Sequence, residues 1–465
     1  MLARVTWLLV VGSIVGALLA TLGFVVATLP VRIPYWGEAE VLFEAARLRA
    51  HLPLYVDPLI GAFEHGEPPS RFYVTYPPLW TGIVALVPTA AAMIFARVAC
   101  TLAWFGALAG LAWTARPESR REASVAAAFV GGIWVLANFA TIGRPDAIAC
   151  AIAAFALARA MRRGKLDLVC VAMLVLVPWV KPTIIGLPVG ALLGGCLVDR
   201  KDGPRMFAAA VLLAIASALV AHLATGGALF EHVFRSNAQP FSLAVWRNHV
   251  SGRLPFFGPL LAWAAWIGWR ARASAGARIG LTALGAAVVW TLVALAKTGS
   301  SSNYWMEPAI AAVALVSRSP AGPVRVGSDN VVHAALALAA VAWADVASVG
   351  GAVEHAARMR ADAAFVASVR SRAALAEDAV IAADEAGIEL VLNGRILTPT
   401  YQMVHLVRRG VYPAEPWIAQ LTSPRTRAFV EHTGQLRLAP ELQNALEQRY
   451  EVVVKEGAFR VWRRR

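Results

Sequence analysis

"VTWLLVVGSIVGALLATLGFVVATL", residues 5–29, runs for 25 positions without a charge. It gives way at once to "PVRIPYWGEAEVLFEAARL", 30–48, where Glu38, Glu40 and Glu44 arrive within seven positions. At about 1.5 Å per residue, an uncharged helix of that length crosses the hydrocarbon core of a bilayer. The run exceeds the apolar core of a signal peptide and no small-residue cleavage site follows it, so it reads as a retained first span. The acids then stand where that span ends, in a chain of formal charge +14.

The rest of the composition agrees with a membrane chain. Of 465 residues, 58% are hydrophobic and only 15% charged, with a mean hydropathy of +0.59. A soluble domain carries about 25% charged residues, so this is a polytopic α-helical membrane protein. The excess of Lys and Arg sits mostly in short loops between apolar runs. That pattern orients membrane insertion and faces anionic lipid headgroups; it does not call for nucleic acid. Cys100, Cys150, Cys170 and Cys196 each lie inside an apolar stretch and form no C-x-x-C pair, which suits packing residues better than a metal site or a disulfide frame.

Further apolar runs fall near 76–115, 123–141, 145–161, 166–198, 206–224, 254–270, 279–297, 303–317 and 329–349. The basic loops "ARPESRRE" (115–122), "RRGK" (162–165), "DRKDGPR" (199–205), "RARASAGAR" (270–278) and "SRSPAGPVR" (317–325) are assigned to the cytoplasm. Connections 31–75, 226–252 and 297–303 then face outward. Parity requires 76–115 to cross once, so "LWTGIVALV" between Pro78 and Pro88 reads as a re-entrant or interfacial helix ahead of one true span. It requires 166–198 to cross twice, so "VPWVKPT" breaks that segment into two short helices with Lys181 at the outer turn. The sum is about eleven spans in a transmembrane domain, 1–350, with the N-terminus inside. Residues 351–465 form a small extracytoplasmic α/β domain. There "DAVIAAD", "IELVLNG" and "YEVVVKEGAFRVWRR" read as strands, and "TYQMVHLVRRG" and "APELQNALEQRY" as helices.

Polar residues at membrane depth are costly and usually face a cavity or one another. Here they gather on the outward side. The loop 31–75 holds Glu38, Glu40 and Asp57 and ends in Tyr76; "GRPDAIA" carries Arg144 and Asp146; the hairpin turn carries Lys181; "GSSSNYWMEP" carries Asn303, Tyr304 and Glu307. Each has a plain structural alternative. Glu38 and Glu40 suit a helix dipole, and Glu44, with Arg47, suits a solvated face opposite Val41, Leu42, Ala45 and Leu48. Asp146 suits a cap after Pro145, while Arg144 and Lys181 could snorkel to headgroups. Asn303 and Tyr304 suit an interfacial belt. Their coincidence on one side favours a shared cavity. No phosphate loop of the G-x-x-x-x-G-K-[ST] type, no H-E-x-x-H pair and no G-x-S-x-G elbow is present, which disfavours ATP-driven transport, zinc proteolysis and serine hydrolysis.

In order along the chain, "YWGEAEVL", "LPLYVD", "YPPLW", "GRPDAIA", "VKPT" and "GSSSNYWMEP" resemble the GT-C class of polyprenyl-phosphate-sugar-dependent glycosyltransferases. The closest resemblance is to bacterial membrane proteins of the protein O-mannosyltransferase and aminoarabinose transferase superfamily. It covers roughly residues 5–350. It implies a multi-pass protein of the bacterial inner membrane that moves a sugar from a polyprenyl-phosphate-linked donor to a cell-envelope acceptor on the extracytoplasmic face. The acid after the first span is the general base in such enzymes, which carries over to Glu38 with Glu40 second; this chain reads Glu-Ala-Glu where Asp-Glu is commoner. Basic residues near the outer surface hold the donor phosphate, here Lys181 and Arg144. Asp57, Tyr76, Asp146, Asn303, Tyr304 and Glu307 complete the expected substrate-binding set. No dedicated metal motif accompanies them, and a divalent cation is left open. A lipid or small-solute transporter is the alternative reading of the broken helices and buried Lys, and a non-catalytic assembly protein a third.

Overall fold

The structure, a computed structural model, describes residues 2–35, 37–55, 74, 76–235, 237–318, 331–397, 400–411, 413–432 and 439–465. The first span is α1, Leu2–Thr28, and the acids begin α2, Gly37–Arg49. Pro77 and Pro78 open α3, Pro78–Ala85, and a break at Pro88 leads into α4, Thr89–Trp113, the expected short helix ahead of one long one.

The expected single span at 123–141 is instead two helices, α5 (Arg120–Gly132) and α6 (Trp134–Thr141), bent by 72°. Its cause lies in "GGI". A Cβ on Gly132 would stand 3.1 Å from the backbone N of Leu18, so α5 meets α1 backbone to backbone. The Thr21 hydroxyl donates to the Gly132 carbonyl at 2.9 Å, satisfying a group the interrupted helix leaves open. Then come α7 (Asp146–Arg163), α8 (Leu168–Val180) and α9 (Gly186–Val198), with Lys181 at the break between α8 and α9. Next are α10 (Gly203–Thr225) and the single turn α11 (Ala228–Phe230).

The helix expected at 254–270 starts eleven residues earlier as α12, Leu243–Arg270, because the Ser242 side chain caps it by accepting from the Val245 N–H. After α13 (Ala275–Ala294) and α14 (Met306–Arg318) comes α15, Val331–Arg372. It continues without a break past residue 350, where the membrane domain was expected to end.

Among the described residues, four helices are long and apolar enough to cross a membrane: Val11–Thr28, Thr89–Trp113, Gly203–Thr225 and Ala275–Ala294. The bent α5/α6 pair makes a fifth if it is one span. The expected eleven also counts α7, α8, α9, α12, α14 and α15, which are shorter, more charged or partly outside the described residues.

The C-terminal part builds one sheet in the order β1-β2-β4-β3, from β1 (Val380–Ala383), β2 (Thr426–His432), β3 (Tyr450–Glu456) and β4 (Phe459–Arg464). β1 and β2 run parallel, and the other two pairs antiparallel. "IELVLNG" is not a strand. It forms α16, Ala386–Asn393, closed by Gly394 in the left-handed conformation. Ile388 and Leu392 join the core against the sheet while Leu390 turns toward α2, a division of apolar residues that suits a helix lying between two partners. The expected helices stand at α17 (Thr400–Arg408) and α19 (Pro440–Arg449), with α18 (Ala414–Leu421) between them.

Two compact units result. One comprises Met1–Leu29, Ile94–Val220 and Gln239–Ala356; the other joins Pro30–Met93 and Ala221–Ala238 to Ala357–Arg465. The segment bearing the acids therefore belongs with the C-terminal sheet, not with the helices among which the cut at 350 would leave it.

In the sheet, buried Asp384 accepts from the His432 N–H with both carboxylate oxygens, each at 2.9 Å. Burial, helped by the charge of Glu431, pushes this carboxyl from its ordinary 3.8 up to about 7, although the His432 N–H opposes the change. An acid raised in the folded state contributes stability that is complete below its unfolded pKa and is lost as pH climbs through its folded one. The window is about pH 4 to 7, and the loss amounts to about 4 kcal/mol at most. Asp384→Asn, which keeps an acceptor for His432, should melt like the parent near pH 4.5 and clearly higher at pH 8. Equal melting at both pH values would refute this account.

Candidate functional site

The two groups of candidate residues lie in different units. In the unit that holds residues 30–93, α2 carries the acids and almost none of it is solvated. Glu38, Glu40, Glu44 and Arg47 are all buried. This overturns the expectation that Glu44 and Arg47 lie on a solvated face. Of the four apolar residues expected opposite them, Val41 and Ala45 are buried and Leu42 and Leu48 only partly so, while Ala39 and Phe43 pack against α16 and Glu44 meets Thr81 of α3.

Glu38 accepts the Tyr35 N–H at 3.2 Å, reaching back three residues at the start of the helix in the manner of a capping box. Glu44 accepts the Thr81 hydroxyl at 3.2 Å through Oε2, while its Oε1 is buried with no hydrogen-bond partner. Burial raises the Glu44 pKa well above the ordinary carboxylate value, and the charge of Glu40 one turn earlier adds to the effect; Thr81 and Arg47 oppose it. Two carboxylates one turn apart in such a place do not both ionise readily. Burial and the Glu40 charge therefore favour the protonated form of Glu44.

Tyr76 is buried beside them, its hydroxyl so close to Gly37 that a Cβ there would stand 2.3 Å away. The Tyr76 carbonyl accepts the Tyr55 hydroxyl at 2.7 Å. The Tyr55 pKa is itself raised, first by burial and then by Glu44. His232, which no sequence signal singled out, closes the same region: it accepts the Val74 N–H at 3.0 Å through Nδ1 and packs edge-on to Tyr55. Asp57 lies outside the described residues.

In the membrane unit, four candidates meet around one carboxylate. Asp146, at the first position of α7, does not cap that helix. Its Oδ1 accepts the Asn303 side-chain amide at 2.7 Å and lies 3.3 Å from the Lys181 ammonium. Its Oδ2 lies 3.3 Å from Arg144 Nε, an ion pair by distance without hydrogen-bond alignment. All four side chains are buried, so neither Lys181 nor Arg144 snorkels. The Ser301 hydroxyl donates to Asn303 Oδ1 at 2.6 Å, which fixes the amide with its NH₂ toward Asp146. Arg144 also lies over the Phe139 ring, and its carbonyl accepts the Cys100 thiol. Two cations thus meet on this one carboxylate.

The other two candidates do not join this carboxylate. Glu307 accepts the Leu187 N–H at 2.6 Å and so serves the first turn of α9. Tyr304 contributes its carbonyl to the Thr291 hydroxyl. Among the described residues, no group of three His, Cys, Asp or Glu side chains is placed to hold a metal ion.

No protein-family model matches the sequence, and no curated protein matches it. Solved structures do share its fold. ArnT from Cupriavidus metallidurans in the apo state is 13% identical, with a TM-score of 0.54 over 99% of this chain and 98% of that one. The same protein bound to undecaprenyl phosphate is also 13% identical, with a TM-score of 0.56 over 97% of this chain and 98% of that one. The chain therefore shares the fold of these structures along nearly its whole length, as the sequence led one to expect.

Proposed function

We propose that this membrane protein transfers a sugar from a polyprenyl-phosphate-linked donor to a cell-envelope acceptor at the extracytoplasmic face of the bacterial inner membrane. The observation that carries the reading is the buried cluster in which Arg144 and Lys181 converge on Asp146. Two cations brought this close together suit a phosphate, which accepts charge-assisted hydrogen bonds from both. The fold supports the reading, since the ArnT structure of the same fold was obtained with undecaprenyl phosphate bound.

In the reaction, the acceptor hydroxyl attacks the anomeric carbon of the donor sugar. The new C–O bond forms as the bond to the phosphate oxygen breaks, with inversion, and the polyprenyl phosphate leaves with the electron pair. The hydroxyl proton passes to a carboxylate of α2, Glu38 first and Glu40 second, as general base. Arg144 and Lys181 stabilise the charge that grows on the departing phosphate. Asp146, itself bound by the Asn303 amide, holds the two cations; Asp57, Tyr76, Tyr304 and Glu307 are assigned to binding the rest of the substrates.

Envelope glycans from a deletion strain, compared by mass spectrometry with those of the complemented strain, should lack one sugar substituent. The purified protein should release polyprenyl phosphate from a short-chain donor only when acceptor is present. A transporter would move the donor without consuming it, and unchanged glycans together with no release would end the enzyme reading. Reporter fusions after residues 202 and 465 should report cytoplasm and exterior respectively, and the reverse pattern would move the proposed site to the wrong side.

A further inference from the structure

The C-terminal sheet has no role in the chemistry just described, yet it is built into the segment that delivers the acids. Ile33 is a core residue of that domain, buried with Phe365, Val366, Ile381, Ile388 and Val461. Two residues on, the Tyr35 hydroxyl donates to Asp362 at 3.4 Å, while the Tyr35 N–H binds Glu38. On α2 itself, Ala39 and Phe43 pack with Ile396, Ala386 and Leu390. The acid helix is therefore held from the C-terminal domain at its entry and along one face.

The contact is close at one point. A Cβ on Gly387, at the start of α16, would fall 1.8 Å from the Pro34 carbonyl oxygen. Gly387 does not have a left-handed φ, so the glycine is required by the approach of the 33–35 backbone and not by its own conformation. Behind that contact α16 is tied firmly to β1. Buried Glu389 accepts the Ala383 and Leu397 N–H groups at 2.9 and 2.7 Å. The Asn393 amide pairs with both backbone groups of Ile381, at 3.0 and 2.7 Å. A helix anchored in this way transmits the position of the sheet to α2 with little slack.

We infer that Gly387 and Glu389 are positioning residues: through α16 the C-terminal domain sets where Glu38 and Glu40 stand. This rests on the assignment of those acids to proton removal. It gives the domain a function that does not require it to touch either substrate. A base must be held within a fraction of an ångström of its target, and a misplacement of 1 Å can cost about 10²-fold in rate.

The test uses the full-length protein in nanodiscs. Gly387→Ala should lower kcat by about 10- to 100-fold while the KM for the lipid-linked donor stays within about twofold. Amide exchange should accelerate over 37–49 and remain slow in β2 and β4. Wild-type kcat with α2 still protected would overturn the inference. So would loss of protection throughout the sheet, since Gly387 would then serve only the folding of the domain. Ile396→Ala, a milder cut in the same contact, should give the same pattern in smaller measure if Gly387→Ala does not accumulate. Should the parent protein transfer no sugar at all, the enzyme reading fails, and the exchange measurement still decides whether α16 positions α2.

Discussion

Glu38→Gln is expected to lower sugar transfer by about 10²- to 10⁴-fold, the usual contribution of a general base. Its folded stability should barely change. The Tyr35 N–H needs only an acceptor oxygen at Glu38 Oε2, and glutamine retains one. The exchange therefore separates the capping duty of Glu38 from its proposed chemistry: a residue that only capped α2 would leave transfer intact. Glu40→Gln is the partner measurement. If Glu40→Gln is the inactive variant and Glu38→Gln is not, the base sits two positions later and the mechanism is otherwise the same. Full activity in both variants would remove α2 from catalysis. Glu44 is the weaker candidate, because its burial and the neighbouring Glu40 charge favour its protonated form.

Much of this arrangement is legible before any coordinates. The proline pairs flanking "LWTGIVALV" and "VKPT" mark where apolar segments break, since proline cannot donate the helical hydrogen bond, and both breaks stand where the prolines put them. The alternation in "YEVVVKEGAFRVWRR" likewise resolves into β3 and β4 around a turn at Gly457.

What escapes the sequence is tertiary. Nothing in "VGGI" says that another helix backbone will press on Gly132, so the break between α5 and α6 is invisible in a hydropathy window. "IELVLNG" is rich in β-branched and aliphatic residues and reads as a strand; its use as a helix between α2 and β1 depends on partners far away in the chain. Periodicity along one helix sets Glu44 on a solvated face, because it cannot register that Thr81 of α3 covers that side. The ordered motifs did locate Arg144, Asp146, Lys181 and Asn303 as a set, but snorkelling and capping were as good an account until all four were found on one carboxylate.

That carboxylate supports the last expected result. Asp146→Asn keeps the shape of the side chain and removes the charge that pairs with both Lys181 and Arg144. Breaking a buried ion pair from one side costs about 3–5 kcal/mol, because the remaining charge stays buried and uncompensated. Here two like charges remain, so Asp146→Asn should lower the thermal stability of the detergent-purified protein by an amount in that range. A polyprenyl-phosphate analogue then has two consequences to reveal. If Arg144 and Lys181 hold the donor phosphate, the analogue should restore part of the lost stability, since its phosphate supplies the missing negative charge. Lys181→Ala and Arg144→Ala should each weaken binding of the analogue by about 10- to 100-fold, the worth of a charge-assisted hydrogen bond of about 1.5–3 kcal/mol. Acceptor KM should change little in either variant. A purely structural ion cluster predicts otherwise: Asp146→Asn would be destabilised whether or not the analogue is present, and both cation variants would bind it as the parent does. Unchanged affinity in both would take the phosphate away from this cluster and leave the acids of α2 without a donor-binding partner.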